Sequence, residues 1–152
     1  MRSQVCIDAS LALKLVLAED YSDETQAQWQ KWIEEGPELV APSLFIFEGI
    51  SAIRLNVARK QITTEAADLA FHEFLAQVRE VRLLLLPDLV ERAWSLAKRF
   101  KRSQVYDACY LALAESLGCE FWTADEQLYR VVHRAFPWVK WIGGSTARKQ
   151  VG

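Results

Sequence analysis

The chain has 152 residues, of which 51% are apolar and 25% are charged. This length and composition are typical of one globular domain and exclude a disordered, collagen-like or low-complexity chain. With 18 Lys and Arg against 20 Asp and Glu, the net charge of −2 excludes coating of nucleic acid through bulk positive charge. Any contact with nucleic acid would therefore depend on a local basic patch or on bound metal.

The cysteines and the N-terminal apolar stretch narrow the class of protein further. Cys6, Cys109 and Cys119 are odd in number and form no paired motif, so they predict buried free thiols and neither disulfides nor a zinc site. The apolar stretch 9–18 is short and is interrupted by Lys14, which excludes a signal peptide or membrane span there. We therefore expect a cytoplasmic protein without membrane association.

Short apolar runs alternate with longer segments of helical period along the whole chain. In the first half, this pattern predicts strands over residues 5–7 and 39–41 and helices over 10–17, 22–35, 43–60 and 64–78. In the second half, it predicts strands over 81–86, 120–123 and 139–142 and helices over 88–100, 103–118 and 126–136. Asp88, with Glu91 three residues later, has the form of a capping box.

This alternation predicts an α/β fold with a mostly parallel sheet covered by helices on both faces. Ligand sites in such folds lie outside the carboxyl ends of the strands, so the residues that directly follow a strand are candidates. Asp8 and Asp125 follow two of the predicted strands. Each could instead cap the next helix, and Ser10 and Thr123 are alternative caps there.

Two further carboxylates lie in apolar surroundings. Glu48 has apolar neighbours on both sides, and a carboxylate there costs several kcal/mol unless it is paired, protonated or bound to metal. A partly exposed helix edge is the alternative explanation. Asp107 lies in a helix that is apolar nearly all round; the helix dipole could stabilise this acid but does not explain its burial.

The four carboxylates together predict a metal site. If all four meet at one edge of the sheet, their mutual repulsion requires neutralisation, for example by a divalent cation. Oxygen ligands without His or Cys select Mg²⁺ or Mn²⁺, which usually also binds substrate phosphate. The sequence therefore indicates phosphoryl chemistry.

These residues resemble the PIN domain family, and within it the VapC-type toxins of bacterial toxin–antitoxin modules. The resemblance covers residues 4–142 and is carried by the segments 5–10 (VCIDAS), 42–48 (PSLFIFE), 106–115 (YDACYLALAE) and 122–125 (WTAD). It implies a three-layer α/β/α fold with about five central strands, and usually a homodimer. We therefore expect a PIN-like nuclease domain over residues 1–142 and a polar, frayed tail over 143–152.

The resemblance further implies an endoribonuclease that depends on Mg²⁺ or Mn²⁺ and is held by a cognate antitoxin protein. By position, Asp8, Glu48, Asp107 and Asp125 become the catalytic and metal-binding quartet. Ser10 and Thr123 become the hydroxyls that orient a carboxylate or a water molecule. With no His in these motifs, we expect hydrolysis by water, a proton acceptor at Asp8 or Asp125, and products with 5′-phosphate and 3′-hydroxyl ends.

Other functions remain open at this point. A PIN nuclease that processes cellular RNA without an antitoxin is one alternative, and an inactive PIN fold that serves as a binding module is another. The presence of all four acids argues against the inactive module. A phosphatase of the haloacid dehalogenase type would need a second Asp where Ser10 lies, and a receiver domain would need paired acids and a late Lys.

Two surfaces are predicted to bind partners. RNA contacts are expected from a second patch at Arg54, with Arg59 and Lys60 beyond it, and above all from a basic run. This run consists of Lys98, Arg99, Lys101 and Arg102. Its alternative role is to stabilise a helix C-terminus. A groove for an antitoxin peptide could use Trp29, Trp32, Phe45 and Phe47, although a core position is the favoured interpretation for these four residues.

Overall fold

The structure is a computed structural model that describes residues 2–102 and 104–144. Within these residues five short strands form one parallel sheet in the order β3-β2-β1-β4-β5. The strands are β1 (Gln4–Ile7), β2 (Glu38–Pro42), β3 (Val81–Leu84), β4 (Glu120–Thr123) and β5 (Val139–Trp141). The predicted α/β architecture is confirmed, and the sheet is parallel throughout.

Helices connect the strands, as parallel pairing requires. They are α1 (Ala9–Leu13), α2 (Ser22–Glu35), α3 (Phe45–Ala58), α4 (Thr64–Val78), α5 (Leu89–Arg99), α6 (Tyr106–Leu117) and α7 (Glu126–Val132). None of the helices in the described ranges is long and apolar enough to cross a lipid bilayer.

The strand order creates a crevice beside β1. From β1 the chain adds β2 and then β3 on one side, and it later adds β4 and β5 on the other side. The direction of winding therefore reverses between β1 and β4, and a crevice opens at the carboxyl ends of these two strands. Asp8 directly follows β1, and Asp125 lies two residues beyond the end of β4.

The core lies on both faces of the sheet and around α6. Six of the seven consecutive residues 108–114 of α6 are buried, all except Cys109, and the helix packs against the strands and α5, which fits its nearly uniform apolar sequence. Trp29, Trp32 and Phe45 are at most 7% exposed, so their core interpretation is confirmed, whereas Phe47 is 68% exposed. All three cysteines are free thiols, as predicted, although Cys109 and Cys119 are only half-buried.

Helix and strand boundaries differ from the prediction at several ends. The helix α1 stops at Leu13 and α7 at Val132, each shorter than the apolar pattern indicated; the chain continues in turns, and of the residues 14–17 and 133–136 only Leu17 and Phe136 are buried. Strands β3 and β5 end at Leu84 and Trp141, where their neighbours β2 and β4 stop offering partners.

Two predictions of local detail also need correction or fall outside the structure. The capping box at Asp88 is wrong: Asp88 precedes α5 in a conformation in which its side chain makes no capping hydrogen bond. A frayed tail was expected over 143–152, and its residues from 145 onward lie outside the described part of the chain. Ser103, the predicted start of α6, also lies outside it. Gly143 itself is buried.

Candidate active site

Asp8 is the carboxylate at the β1–β4 crevice that accepts the most hydrogen bonds. Its Oδ1 accepts hydrogen bonds from the Leu11 amide at 3.0 Å and from Ser10 Oγ at 2.6 Å. Its Oδ2 accepts one from Thr123 Oγ1 at 2.5 Å. Asp8 therefore caps α1, and it also joins the end of β1 to the end of β4, 115 positions further along the chain.

The hydroxyls of Ser10 and Thr123 connect Asp8 to the backbone that follows β4. Their oxygens lie 3.4 Å apart, and each donates to Asp8. Each also accepts from the backbone after β4: Ser10 from the Ala124 amide at 3.1 Å and Thr123 from the Asp125 amide at 3.0 Å. The hydroxyls thus hold Asp8 and the turn before α7 in one arrangement, which fits the orienting role predicted for them.

Burial dominates the electrostatics of Asp8. The side chain is 6% exposed, and loss of hydration raises its pKa to about 7 despite the three hydrogen bonds that oppose the shift. The negative charge of Asp107 adds to the increase in pKa. At neutral pH the metal-free Asp8 carboxyl is therefore about half protonated.

Asp125 is more accessible than Asp8. It caps α7, because its Oδ1 accepts from the Leu128 amide at 3.1 Å. No other hydrogen bond reaches its carboxylate from the residues that the structure describes, so Oδ2 has no hydrogen-bond partner among them. Its charge helps to raise the pKa of Asp107, which places the two carboxylates within electrostatic reach of each other.

Asp107 is the carboxylate that connects the other three. Its charge raises the pKa of both Asp8 and Glu48, and its own pKa is raised by burial and by Asp125. Arg102 opposes this increase: Nη2 donates to Asp107 Oδ2 at 3.0 Å. The position of Asp107 in the first turn of α6 adds a favourable dipole interaction.

Glu48 lies in the first turn of α3 and reaches the crevice from the β2 side. Burial raises its pKa, and its Oε1 is buried without a hydrogen-bond partner. The Tyr110 hydroxyl is also buried without a hydrogen bond of regular geometry, yet it lies close enough to Glu48 for a weak hydrogen-bonding interaction, which lowers the pKa of Glu48 and raises that of Tyr110. Sequence reasoning missed Tyr110; its position three residues after Asp107 on α6, and hence on the same face, was the available signal.

The four carboxylates fit a hard divalent cation in donor type and charge. The buried, unpaired Oε1 of Glu48 is an acceptor that a cation would satisfy, and three of the four acids have raised pKa values that a cation would reverse. Among the described residues, no three acids converge into a ready-made cage. Mg²⁺ does not need such a cage of acids, because it keeps several of its water molecules and usually coordinates only one or two carboxylates directly.

The predicted RNA-binding residues do not form one continuous surface. Lys98 and Arg99 lie exposed on the last turn of α5, and the Arg99 guanidinium stacks over Phe100 and Phe136, at 5.1 and 5.2 Å from the ring centres. Arg102 instead pairs with Asp107 inside the candidate site. Arg54 is exposed on α3, in a separate patch.

Beside Glu48 lies a largely apolar surface groove of about 540 Å³. Phe47, the one exposed member of the aromatic set considered for peptide binding, is part of its wall. The lining residues are Leu44, Phe47, Glu48, Ser51, Ala52, Leu55, Gln104 and Tyr106.

Comparison with known proteins identifies the family. The PIN domain family model matches residues 5–133, and the chain therefore belongs to the PIN domain family, a family of nucleases. PAE2754 of Pyrobaculum aerophilum is similar at 25% identity and a TM-score of 0.62, covering 86% of this chain and 87% of that one. No curated protein sequence gives a significant match.

A toxin from Mycobacterium tuberculosis also shares the fold. VapC20, which cleaves the sarcin–ricin loop, has a TM-score of 0.55 and 20% identity, covering 79% of this chain and 87% of VapC20. At this identity the similarity establishes the fold alone.

Proposed function

We propose that this PIN-domain protein is an endoribonuclease that depends on Mg²⁺ or Mn²⁺ and serves as the toxin of a toxin–antitoxin module. One observation carries the proposal: Asp8, Glu48 and Asp125 each interact electrostatically with Asp107, and Asp8 and Asp125 follow the carboxyl ends of two neighbouring strands. A similar fold in VapC20, a toxin that cleaves the sarcin–ricin loop, supports RNA as the substrate class.

The four acids would hold the cation together. When bound, Mg²⁺ or Mn²⁺ would stabilise negative charge on phosphate oxygens and lower the pKa of a water molecule. Asp8 serves as a rigid ligand, since both of its oxygens are already oriented by hydrogen bonds. Glu48 offers its unpaired Oε1.

Asp125 is the better proton acceptor of the two candidates. Its capping bond uses only Oδ1, so Oδ2 is available to take a proton from the attacking water. In Asp8, by contrast, both oxygens already accept hydrogen bonds. Hydrolysis by water, without participation of the ribose 2′-hydroxyl, leaves a 5′-phosphate and a 3′-hydroxyl.

Metal binding and cleavage are tested together on purified protein. Calorimetry should detect Mn²⁺ binding to the wild type, and Mn²⁺ should raise the melting temperature by mass action. Asp107→Asn should remove most of this gain and the cleavage of RNA. Asp88→Asn, which changes an acid at the start of α5, is the matched control and should retain both. Absence of Mn²⁺ binding at millimolar concentration would contradict the proposal.

The toxin role is tested in cells. Expression of the wild type should arrest bacterial growth, whereas Asp8→Asn and Glu48→Gln forms should not. Co-expression of a small neighbouring gene that encodes the antitoxin should restore growth. If the wild type and the Asp8→Asn form are equally harmless in the native host, the toxin role is rejected. The nuclease activity would then still be tested on purified RNA. Homodimer formation, implied by the same resemblance, also stays a prediction.

A further inference from the structure

Arg102 was predicted to contact RNA, and it lies instead against a carboxylate of the candidate site. Two residues after the end of α5, Lys101 takes the left-handed conformation, with φ of 52°, and this reverses the chain. The Arg102 amide then donates to Ala97 O at 2.9 Å, which ties residue 102 to the last turn of α5. From there Arg102 Nη2 reaches Asp107 Oδ2 at 3.0 Å.

This ion pair has fewer hydrogen bonds than a second one, which joins α5 directly to α6. Arg92 on α5 pairs with Glu115 on α6 through two hydrogen bonds, from Nε to Oε1 and from Nη2 to Oε2. Arg102 uses one of its five N–H donors, and its guanidinium makes no other hydrogen bond or ion pair among the described residues. Its side chain is 30% exposed, so it is partly accessible to solvent.

The pair occupies one oxygen of Asp107, the carboxylate whose charge raises the pKa of Asp8 and of Glu48. Arg102 offsets part of the negative charge of Asp107, since it lowers the pKa of that carboxyl. A divalent cation at this edge would interact with the same charge of Asp107. A partly exposed ion pair with one hydrogen bond contributes little free energy, so Arg102 is readily displaced.

We propose that Arg102 is an internal counter-ion of Asp107 that competes with the divalent cation and, once displaced by it, binds a phosphate of the RNA. This inference rests on the proposed nuclease function and adds a coupling between metal binding and substrate binding. A guanidinium fork suits phosphate, with which it can form two parallel hydrogen bonds. Lys98 and Lys101, which form no ion pair among the described residues, lie near it in sequence and add positive charge.

The first measurement is metal affinity by calorimetry. Arg102→Ala should bind Mn²⁺ about three- to tenfold more tightly than the wild type, because the competing cation has been removed. Arg102→Lys, which keeps the charge but loses the fork, should lie between the two. Arg92→Ala, which breaks the matched pair outside the site, should leave the Mn²⁺ affinity unchanged even if it lowers stability.

The second measurement is RNA affinity, in an Asp125→Asn background that keeps a good helix cap and is expected to stop cleavage. With saturating Mn²⁺, Arg102→Ala should weaken binding of a single-stranded RNA oligonucleotide about three- to tenfold. The slope of log affinity against log salt should fall by about 0.7, as for one phosphate contact. Without metal the effect should be smaller, since Arg102 is then paired with Asp107.

Opposite changes in the two affinities are the signature of this role. A purely structural Arg102 would weaken both affinities or neither, and either result would overturn the inference. If Arg102→Ala folds poorly in the metal-free state, Arg102→Gln preserves length and hydrogen bonding and must show the same two changes. Failure of the wild type to bind Mn²⁺ would reject the nuclease proposal as well, whereas normal Mn²⁺ binding that is identical in all variants would reject this inference alone.

Discussion

At the scale of single residues, burial shapes the candidate site more strongly than repulsion. The sequence predicted mutual repulsion among the acids. In the structure, loss of hydration is the largest cause of the raised pKa of Asp8, Glu48 and Asp107, and neighbouring charge adds to it. An acid with a raised pKa binds its proton more tightly in the folded state than in the unfolded chain, so its effect on stability has a definite sign.

We predict that the metal-free protein loses stability as pH rises from about 4, the pKa of Asp in the unfolded chain, to about 7, the pKa of folded Asp8. The proton that stabilises the buried carboxyl is present below this range and is lost within it. Asp8→Asn should flatten the decline, since the amide never ionises. Chemical denaturation at a series of pH values measures the free energy of unfolding; equal pH profiles for the two proteins would contradict the prediction.

At the scale of helices and strands, the position of Glu48 depends on how closely α3 and α4 pack. Gly49 follows Glu48 on α3, and a Cβ atom added there would lie 2.1 Å from the Phe74 ring of α4. Phe74 is fully buried and packs against Phe45, with 5.6 Å between the ring centres. Glycine is a poor helix former, but at position 49 it allows the Phe74 ring to contact the first turns of α3.

Gly49→Ala should destabilise the protein by about 1–3 kcal/mol, the usual cost of overpacking, although alanine is the better helix former. Ser51→Ala, an exposed position on α3, is the matched control and should be neutral or slightly stabilising. Adding Phe74→Leu to Gly49→Ala should recover part of the loss, because the smaller side chain can move away from the new methyl group. Stabilisation by Gly49→Ala in thermal or urea unfolding would show that helix propensity outweighs the contact.

At the scale of the whole molecule, binding of a polyanion must overcome a net charge of −2. Many of the cations are engaged: Arg92 with Glu115, Arg102 with Asp107, Arg130 with Glu126 and Lys14 with Glu19. Lys98 and Lys101, at the end of α5, form no ion pair within the described ranges. They are therefore among the cations that can release counterions when RNA binds.

Replacing Lys98 by Ala and Lys101 by Gly should weaken RNA binding and lower its salt slope by up to about 1.4, or 0.7 for each phosphate contact. Glycine suits the left-handed backbone at position 101, so this change should not cost stability. Lys31→Ala with Arg130→Ala changes the net charge equally but removes cations that already pair with Glu35 and Glu126. An identical salt slope in both double variants would mean that only total charge matters.

Local patterns in the sequence were sufficient for the fold class and for the choice of candidate acids. Apolar periodicity depends on residues adjacent along the chain, so the order of strands and helices was predicted correctly while their ends were not. Asp107 and Glu48 stood out because a carboxylate among apolar neighbours is costly wherever the chain folds.

The sequence by itself thus determined the parallel α/β architecture and the four acids of the candidate site. Only the tertiary structure decided which acid is almost fully buried, that Asp8 is held by Thr123 from a distant strand, and that Arg102 pairs with Asp107. The physical reason is that hydration and charge–charge distances depend on neighbours in space. Those neighbours are brought together by the strand order and by the chain reversal at Lys101, which no local spacing predicts.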